Sequence, residues 1–258
     1  MILHPFGNGW IAIRQSAHAL LSFQIADHWG NRATPRPAPR AEVLAAVLLH
    51  DAGWDGREEK PRLAPSGAPV AFDSLPEGEH KEVWTACVER AATRGAYVAY
   101  LVSHHVAHLA RTYSSSSAPE FLAGEEARQA ALAAVLAKQP RYAELFRGDG
   151  DRRNRAILRL ADALAVLLSV GTQERATLPG LPQRNGEVDL QVTHLGERTY
   201  RLRPWPLAGR RLTVHAEGVW LPQRIFADEG ELRDAWRRAE PRLLFWTLLA
   251  PATPAPPT

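Results

Sequence analysis

Apolar residues recur with helical spacing over the first two thirds of the chain. Intervals of three and four positions predict helices over residues 16–29, 43–50, 79–93, 96–113, 120–138, 142–146 and 152–170. An apolar run at 10–13 predicts a short strand before the first helix. Residues 52–78 are polar and rich in glycine and proline, and loops of this length are usually functional or disordered.

The pattern changes after residue 172. Residues 188–192, 199–202 and 211–214 alternate between apolar and polar positions, which is typical of antiparallel strands. Leucine and tryptophan residues over 230–249 predict a final helix. We therefore expect a mainly α protein, in which residues 1–172 form a helical domain. Residues 173–258 would form a small antiparallel β lobe and a C-terminal helix, packed on the helical domain as one unit.

Composition narrows the class of protein. The 258 residues are 45% hydrophobic and 23% charged, which excludes intrinsic disorder. The net charge of +3 does not favour nucleic-acid binding, and no apolar run is long enough to span a membrane. No secretory signal opens the chain, and the single cysteine, Cys87, excludes a disulfide framework. We expect a cytoplasmic protein, and the sequence does not predict its oligomeric state.

Histidine and aspartate residues interrupt three apolar helices. His50 and Asp51 close one of them, His104 and His105 lie within a second, and Asp162 lies within a third. Buried acids and imidazoles that converge from several helices form metal sites in helical proteins. A mixed His/Asp set favours a divalent transition metal such as Mn, Fe, Zn or Ni, and Mg is possible.

The order of these residues resembles a known superfamily. His18, the His50–Asp51 pair and Asp162 follow the H…HD…D signature of the HD-domain metal-dependent phosphohydrolases. The resemblance implies an HD-domain-like helical bundle that binds one or two metal ions. Further histidines lie between the HD pair and the final aspartate, where binuclear members place two more ligands. The metal ligands that it implies are His18, His50, Asp51, His80, His104, His105 and Asp162, and the catalytic residues are Asp51, His80 and His105.

A closer resemblance is to an uncharacterised bacterial HD-like family of unknown function. It rests on residues 13–18, 50–54, 101–105 and 203–206. Its pattern favours His105 over His104 as the matching position, and the two side chains point about 100° apart on a helix. His104 and His108 share a helix face, which would also suit a separate two-histidine metal pair.

The polar loop after the HD pair carries candidate substrate-binding residues. Both of its ends adjoin the proposed metal ligands, and it contains Arg57, Lys60 and Arg62, which could bind a small anionic or phosphorylated substrate. The alternative is a solvated loop. Further candidates for contact with an anion are Arg90, Arg94 and Arg111.

Three functions are compatible with these residues. The first is hydrolysis of a phosphoester, with a nucleotide or another small phosphorylated molecule as substrate. The second is oxygen activation, because some HD-fold enzymes use the same ligand order for a di-iron centre. The third is a non-catalytic ligand-binding protein that holds a structural metal, since fold does not imply function.

Overall fold

The computed structural model describes residues 1–113, 118–171 and 174–252. The helices in these ranges are α1 (Gln15–Asp27), α2 (Arg40–Leu49), α3 (Glu77–Ala92), α4 (Ala96–Tyr113), α5 (Ala118–Leu136), α6 (Pro140–Arg147), α7 (Gly150–Val170) and α8 (Glu229–Arg238). The strands are β1 (Ile2–Phe6), β2 (Gly9–Ile13), β3 (Arg175–Gln183), β4 (Gly186–His194), β5 (Thr199–Arg203), β6 (Arg211–Leu221) and β7 (Pro241–Leu249).

The strands form one mixed sheet in the order β1-β2-β6-β7-β5-β4-β3. Neighbouring strands are antiparallel except β5 and β7, which are parallel. The sheet is a half-barrel, and the described residues are 49% helix and 23% strand. The expectation of a mainly helical, HD-domain-like bundle with a small antiparallel β lobe is therefore wrong, because the chain has an α/β fold. The pairing of β2 with β6 joins strands from the two predicted segments, 1–172 and 173–258.

The largest error in the prediction concerns the C-terminal helix expected over 230–249. The helix α8 ends at Arg238, and the strand β7 follows it. Leu244, Trp246 and Leu248 are buried on one face of β7, whereas Leu243 and Phe245 are half exposed on the other. Because both faces carry apolar side chains, the period of two that marks a half-buried strand does not appear in the sequence.

Two strands that the sequence did not predict lie at the edges of the sheet. β1 contains Pro5, and β3 contains Pro179 and Pro182 with Gly180 at an irregularity in its pairing. Proline cannot donate a ladder hydrogen bond and is tolerated at sheet edges and at bulges. These residues make the two strands resemble loops in the sequence, and they are the residues that a strand at the edge of a sheet tolerates.

Helix α4 lies at the centre of the helical layer. It contacts α2, α3, α5 and α7, and Val98, Leu101, Val102 and Val106 are buried on several of its faces. A helix that is apolar nearly all round is typical of such a central position. Helix α1 packs against β6, and α7 packs against β1 and β3. Among the described residues, no helix combines the length and apolar character that crossing a membrane requires.

Candidate metal centre

Three donor atoms from three parts of the chain meet in the buried core. His18 lies in the first turn of α1, His50 follows the last residue of α2, and Asp162 lies in the middle of α7. One ligand atom from each lies within 4.8 Å of the other two. Asp162 Oδ1 is 2.9 Å from His18 Nε2 and 3.3 Å from His50 Nε2. This separation is short enough for one ion to contact all three side chains.

The end of helix α2 fixes the orientation of His50. Its Nδ1–H donates a 2.6 Å hydrogen bond to the carbonyl of Val47, one of the carbonyl groups that the end of the helix leaves without a helical partner. This bond turns Nε2 toward Asp162. Metal-binding histidines commonly use one ring nitrogen in this way and present the other to the metal.

Asp51 and His105 extend the cluster to five side chains. Asp51 Oδ2 lies 3.3 Å from His50 Nε2 and 3.8 Å from His18 Nε2. His105, in α4, places its Nε2 3.5 Å from Asp162 Oδ2, and its ring centre is 5.1 Å from that of His50. The three imidazoles and two carboxylates therefore come from α1, the end of α2, α4 and α7.

Burial and mutual attraction shift the pKa values of this cluster. Burial lowers the pKa of His50, but the carboxylates of Asp51 and Asp162 outweigh it and raise that pKa to about 9. Burial opposes ionisation of Asp162, yet its contacts with His18 and His50 hold its pKa well below the usual range. Burial raises the pKa of Asp51 and lowers that of His105 to about 3.

The buried ring nitrogens of the cluster fit a bound cation. His50 Nε2 and both ring nitrogens of His105 have no hydrogen-bond partner among the described residues, although both side chains are buried. Such buried polar atoms are unfavourable unless something satisfies them. Nitrogen and carboxylate donors together suit a divalent transition metal, and His18, His50, Asp51, His105 and Asp162 are the residues that could hold it.

Two of the histidines expected as ligands lie elsewhere. His80, in α3, bonds through Nε2 to the carbonyl of Phe72 at 2.9 Å, and its ring stacks on that of Trp84. His104, the neighbour of His105 in α4, points away from the cluster, and its Nδ1 is 3.4 Å from Arg155 Nη1. Burial, together with the charge of Arg155, lowers the pKa of His104 to about 3. The structure does not bring either imidazole into the cluster.

The arginines expected to bind substrate in the loop over 54–78 already have acidic partners. Arg57 pairs with Glu79 and Glu82, and Arg62 pairs with Glu79 at 2.7 Å. Lys60 is exposed to solvent. These ion pairs attach the loop to α3, and they leave the two guanidinium groups less free to meet a substrate.

Beside the cluster lie three arginines that the sequence prediction missed, Arg152, Arg155 and Arg159, together with Arg111, which it had named as a further candidate. A cavity of about 340 Å³ lies against α4 and α7, with His105 in its wall. Two further histidines, His104 and His108, and four arginines line it. The arginines are Arg111, Arg152, Arg155 and Arg159, and we call it the arginine cavity. Residues 152, 155 and 159 are spaced by three and four on the helix that carries Asp162, so they share one helix face. That spacing is visible in the sequence and could have identified them.

The comparisons with known proteins identify a family. The chain matches the family described as protein of unknown function (DUF3891) over residues 1–223. No curated protein matches the chain, and no solved structure does. The matched range includes the five clustered donors and the four arginines of the cavity. The chain therefore belongs to the DUF3891 family, whose function is unknown.

Proposed function

We propose that this protein is a metal-dependent phosphohydrolase that acts on a small phosphorylated molecule. The observation that carries the proposal is the convergence of His18, His50 and Asp162 in the core, with Asp51 and His105 beside them. The order of His18, His50–Asp51 and Asp162 in the chain, which resembles that of HD-domain phosphohydrolases, agrees with it.

The five clustered donors favour a centre with a single ion. The two-ion arrangement that the resemblance implied would also use His80 and His104, and both lie outside the cluster. Catalytic metal sites commonly use three protein ligands and leave a position open for water or substrate. His18, His50 and Asp162 supply such a set, and an ion of Mn, Fe, Zn or Ni suits its mixture of nitrogen and oxygen donors. The di-iron oxygenase alternative needs two ions, and the clustered residues do not favour it.

Each residue of the cluster has a distinct part in the proposed reaction. A bound divalent ion would lower the pKa of a coordinated water and offset the negative charge of a phosphate group. The carboxylate of Asp51 lies beside His50 and His18 and would place a second negative charge next to the ion. His105 borders both Asp162 and the arginine cavity, so it lies between the centre and a space that could admit a substrate.

Hydrolysis of a panel of phosphomonoesters and phosphodiesters tests the proposal. The protein should release phosphate or alcohol only after loading with Mn, Fe, Zn or Ni, and Asp51→Ala should abolish turnover. His28→Gln is the matched control, because His28 is exposed at the end of α1 and, among the described residues, its side chain bonds only to a carbonyl of that helix. Metal binding without turnover of any ester would favour a structural metal, and oxygen uptake by the iron-loaded protein would favour the oxygenase.

A further inference from the structure

Three arginines of the arginine cavity have carboxylate partners. Arg111 pairs with Glu126 at 2.7 Å, and Arg155 pairs with Asp151 at 2.9 Å. Arg152 pairs with Glu187 at 2.8 Å, and Glu187 itself lines the cavity. Three of the four guanidinium charges are therefore balanced by carboxylates, and of these carboxylates only Glu187 lies in the cavity wall.

The fourth arginine, Arg159, has a different environment. Its Nη2 donates to the carbonyl of Pro179 at 2.7 Å and approaches that of Gly180 at 3.5 Å. No carboxylate pairs with it within the described ranges 1–113, 118–171 and 174–252. Burial lowers its pKa, and the nearby charge of Glu187 opposes that shift. A guanidinium group stays protonated in proteins, so Arg159 presents a positive charge to the cavity that no direct ion pair in the described ranges balances.

Strand β3 is shaped to hold this side chain. The pairing of β3 with β4 shifts between Leu178 and Leu181, and this bulge directs the two carbonyls at Arg159. Gly180 has a φ of +75°, and a Cβ there would lie 2.8 Å from Arg159 Nη2. A glycine is therefore needed both for the backbone conformation and for the close approach of the guanidinium group. Arg159 is held in place before any ligand arrives.

We propose that the arginine cavity binds a phosphate group of the substrate, with Arg159 and Arg155 as its principal contacts. Guanidinium groups pair with phosphate oxygens through two parallel hydrogen bonds, and several of them converge on this cavity. Arg155 pairs with Asp151 through Nη2, and its side chain is 33% exposed, so the second hydrogens of its two terminal nitrogens remain available to an anion. A tetrahedral anion can accept from several converging donors at once, whereas a carboxylate offers only two oxygens.

The position of the cavity connects it to the proposed reaction. Arg159 and Arg155 precede Asp162 by three and seven residues on α7, which corresponds to about 4.5 and 10.5 Å along the helix axis. A phosphate bound there would lie one to two helical turns from the metal centre, and His105 belongs to both sites. The assignment of this phosphate to the substrate rests on the proposed function, but the existence of the phosphate site does not.

Calorimetric titration of the full-length protein with inorganic phosphate tests this inference. Titrations of the protein as purified and after chelation of metals should both give saturable binding. Arg159→Gln should weaken phosphate binding at least tenfold, and Arg155→Gln should weaken it several-fold. Arg147→Gln, in the neighbouring helix α6, is the control, because Arg147 pairs with Glu144 and does not line the arginine cavity. Acetate at the same concentrations should not displace phosphate.

Metal content measured on the same samples separates this inference from the proposed function. Loss of phosphate binding in Arg159→Gln with unchanged metal content supports the phosphate site. Unchanged phosphate affinity in both variants would overturn this inference. Binding that disappears on chelation would also overturn it, and would mean that the metal alone binds the phosphate. If the wild-type protein binds metal but no phosphate, this inference is overturned, while the proposed metal centre is still supported. Phosphate binding by a protein that takes up no metal would overturn only the metal centre.

Discussion

His18 Nε2 and Asp162 Oδ1 lie 2.9 Å apart, although the two residues are separated by 144 positions in the chain. The contact joins α1 to α7 inside the core, where both side chains are almost inaccessible to solvent. A histidine and a carboxylate in such a place are unfavourable unless paired, so removing one leaves the other without its partner. Folding therefore assembles the proposed metal centre from distant segments.

Asp162→Asn is expected to abolish stabilisation by metal. A ligand that binds only the folded state at a hundred times its Kd stabilises it by about 2.7 kcal/mol. Adding the preferred metal should therefore raise the Tm of the wild type, and a chelator should reverse the shift. Asp162→Asn should show no shift. Asp27→Asn, which removes a carboxylate paired with Arg40 outside the cluster, should keep it. A metal-dependent Tm in Asp162→Asn would argue against this carboxylate as a ligand.

Gly53→Ala should disturb the segment that carries His50 and Asp51. A Cβ at Gly53 would lie 2.1 Å from the carbonyl of Val83 and 2.9 Å from Cys87 Sγ. Overpacking of this kind destabilises proteins by about 1–3 kcal/mol, and the shift of the segment should weaken metal binding as well. Gly78→Ala is the control, since a Cβ there meets nothing within 4 Å. Chemical denaturation measures the free energy of unfolding of both variants. Equal stability of Gly53→Ala and Gly78→Ala would contradict the packing argument.

His4 should contribute to loss of stability in acid. Burial and the charge of Arg198 lower its pKa below the ordinary 6.5, against the opposing effect of its hydrogen bond to the carbonyl of Ser169. Its contribution to the free energy of unfolding is therefore complete above pH 6.5 and is lost as the pH falls through the folded-state pKa. Between about pH 7 and 5, His4→Gln should lose less stability than the wild type. The exposed His28→Gln variant should lose as much stability as the wild type. If the free energy of unfolding of His4→Gln falls as steeply with pH as that of the wild type, this result would refute the argument.

Cys87 should not react with thiol reagents in the folded protein. Its side chain is fully buried in α3, and burial raises the pKa of the thiol. The thiolate is the reactive form, so both accessibility and ionisation oppose reaction. A chromogenic disulfide reagent should label Cys87 only at the rate at which the protein unfolds. Fast labelling in native buffer would contradict the packing around Gly53 and Cys87.

The sequence predicts α4 and α7 because their apolar positions recur with helical spacing over many residues. It does not predict β7, where Leu243 and Phe245 make the exposed face apolar too, nor β3, where prolines and Gly180 resemble a loop. Local patterns cannot reveal that the edges of a sheet tolerate those residues. The α/β fold depends on such strands, so the fold prediction failed where tertiary pairing overrides local preference.

The residues of the candidate site could likewise be predicted only in part from the sequence. The order of His18, His50 and Asp162 in the chain pointed to a cluster that the structure brings within 4.8 Å. His80 and His104 lie between them in sequence but face Phe72 and Arg155 instead. Helical spacing alone cannot distinguish His104 from His105, because the packing of α4 against α7 decides which imidazole turns to Asp162. The family resemblance favoured His105, and His105 is the one that lies beside Asp162.

Elemental analysis of the purified protein, after incubation with Mn, Fe, Zn or Ni and removal of free metal, tests the central claim most directly. The wild type and His80→Gln should each retain about one ion per chain, as a site with three protein ligands requires, and His50→Gln should retain none. Loss of metal in His80→Gln would mean that the centre is built differently. Absence of metal from the wild type, or its retention in His50→Gln, would contradict the metal centre proposed for His18, His50 and Asp162.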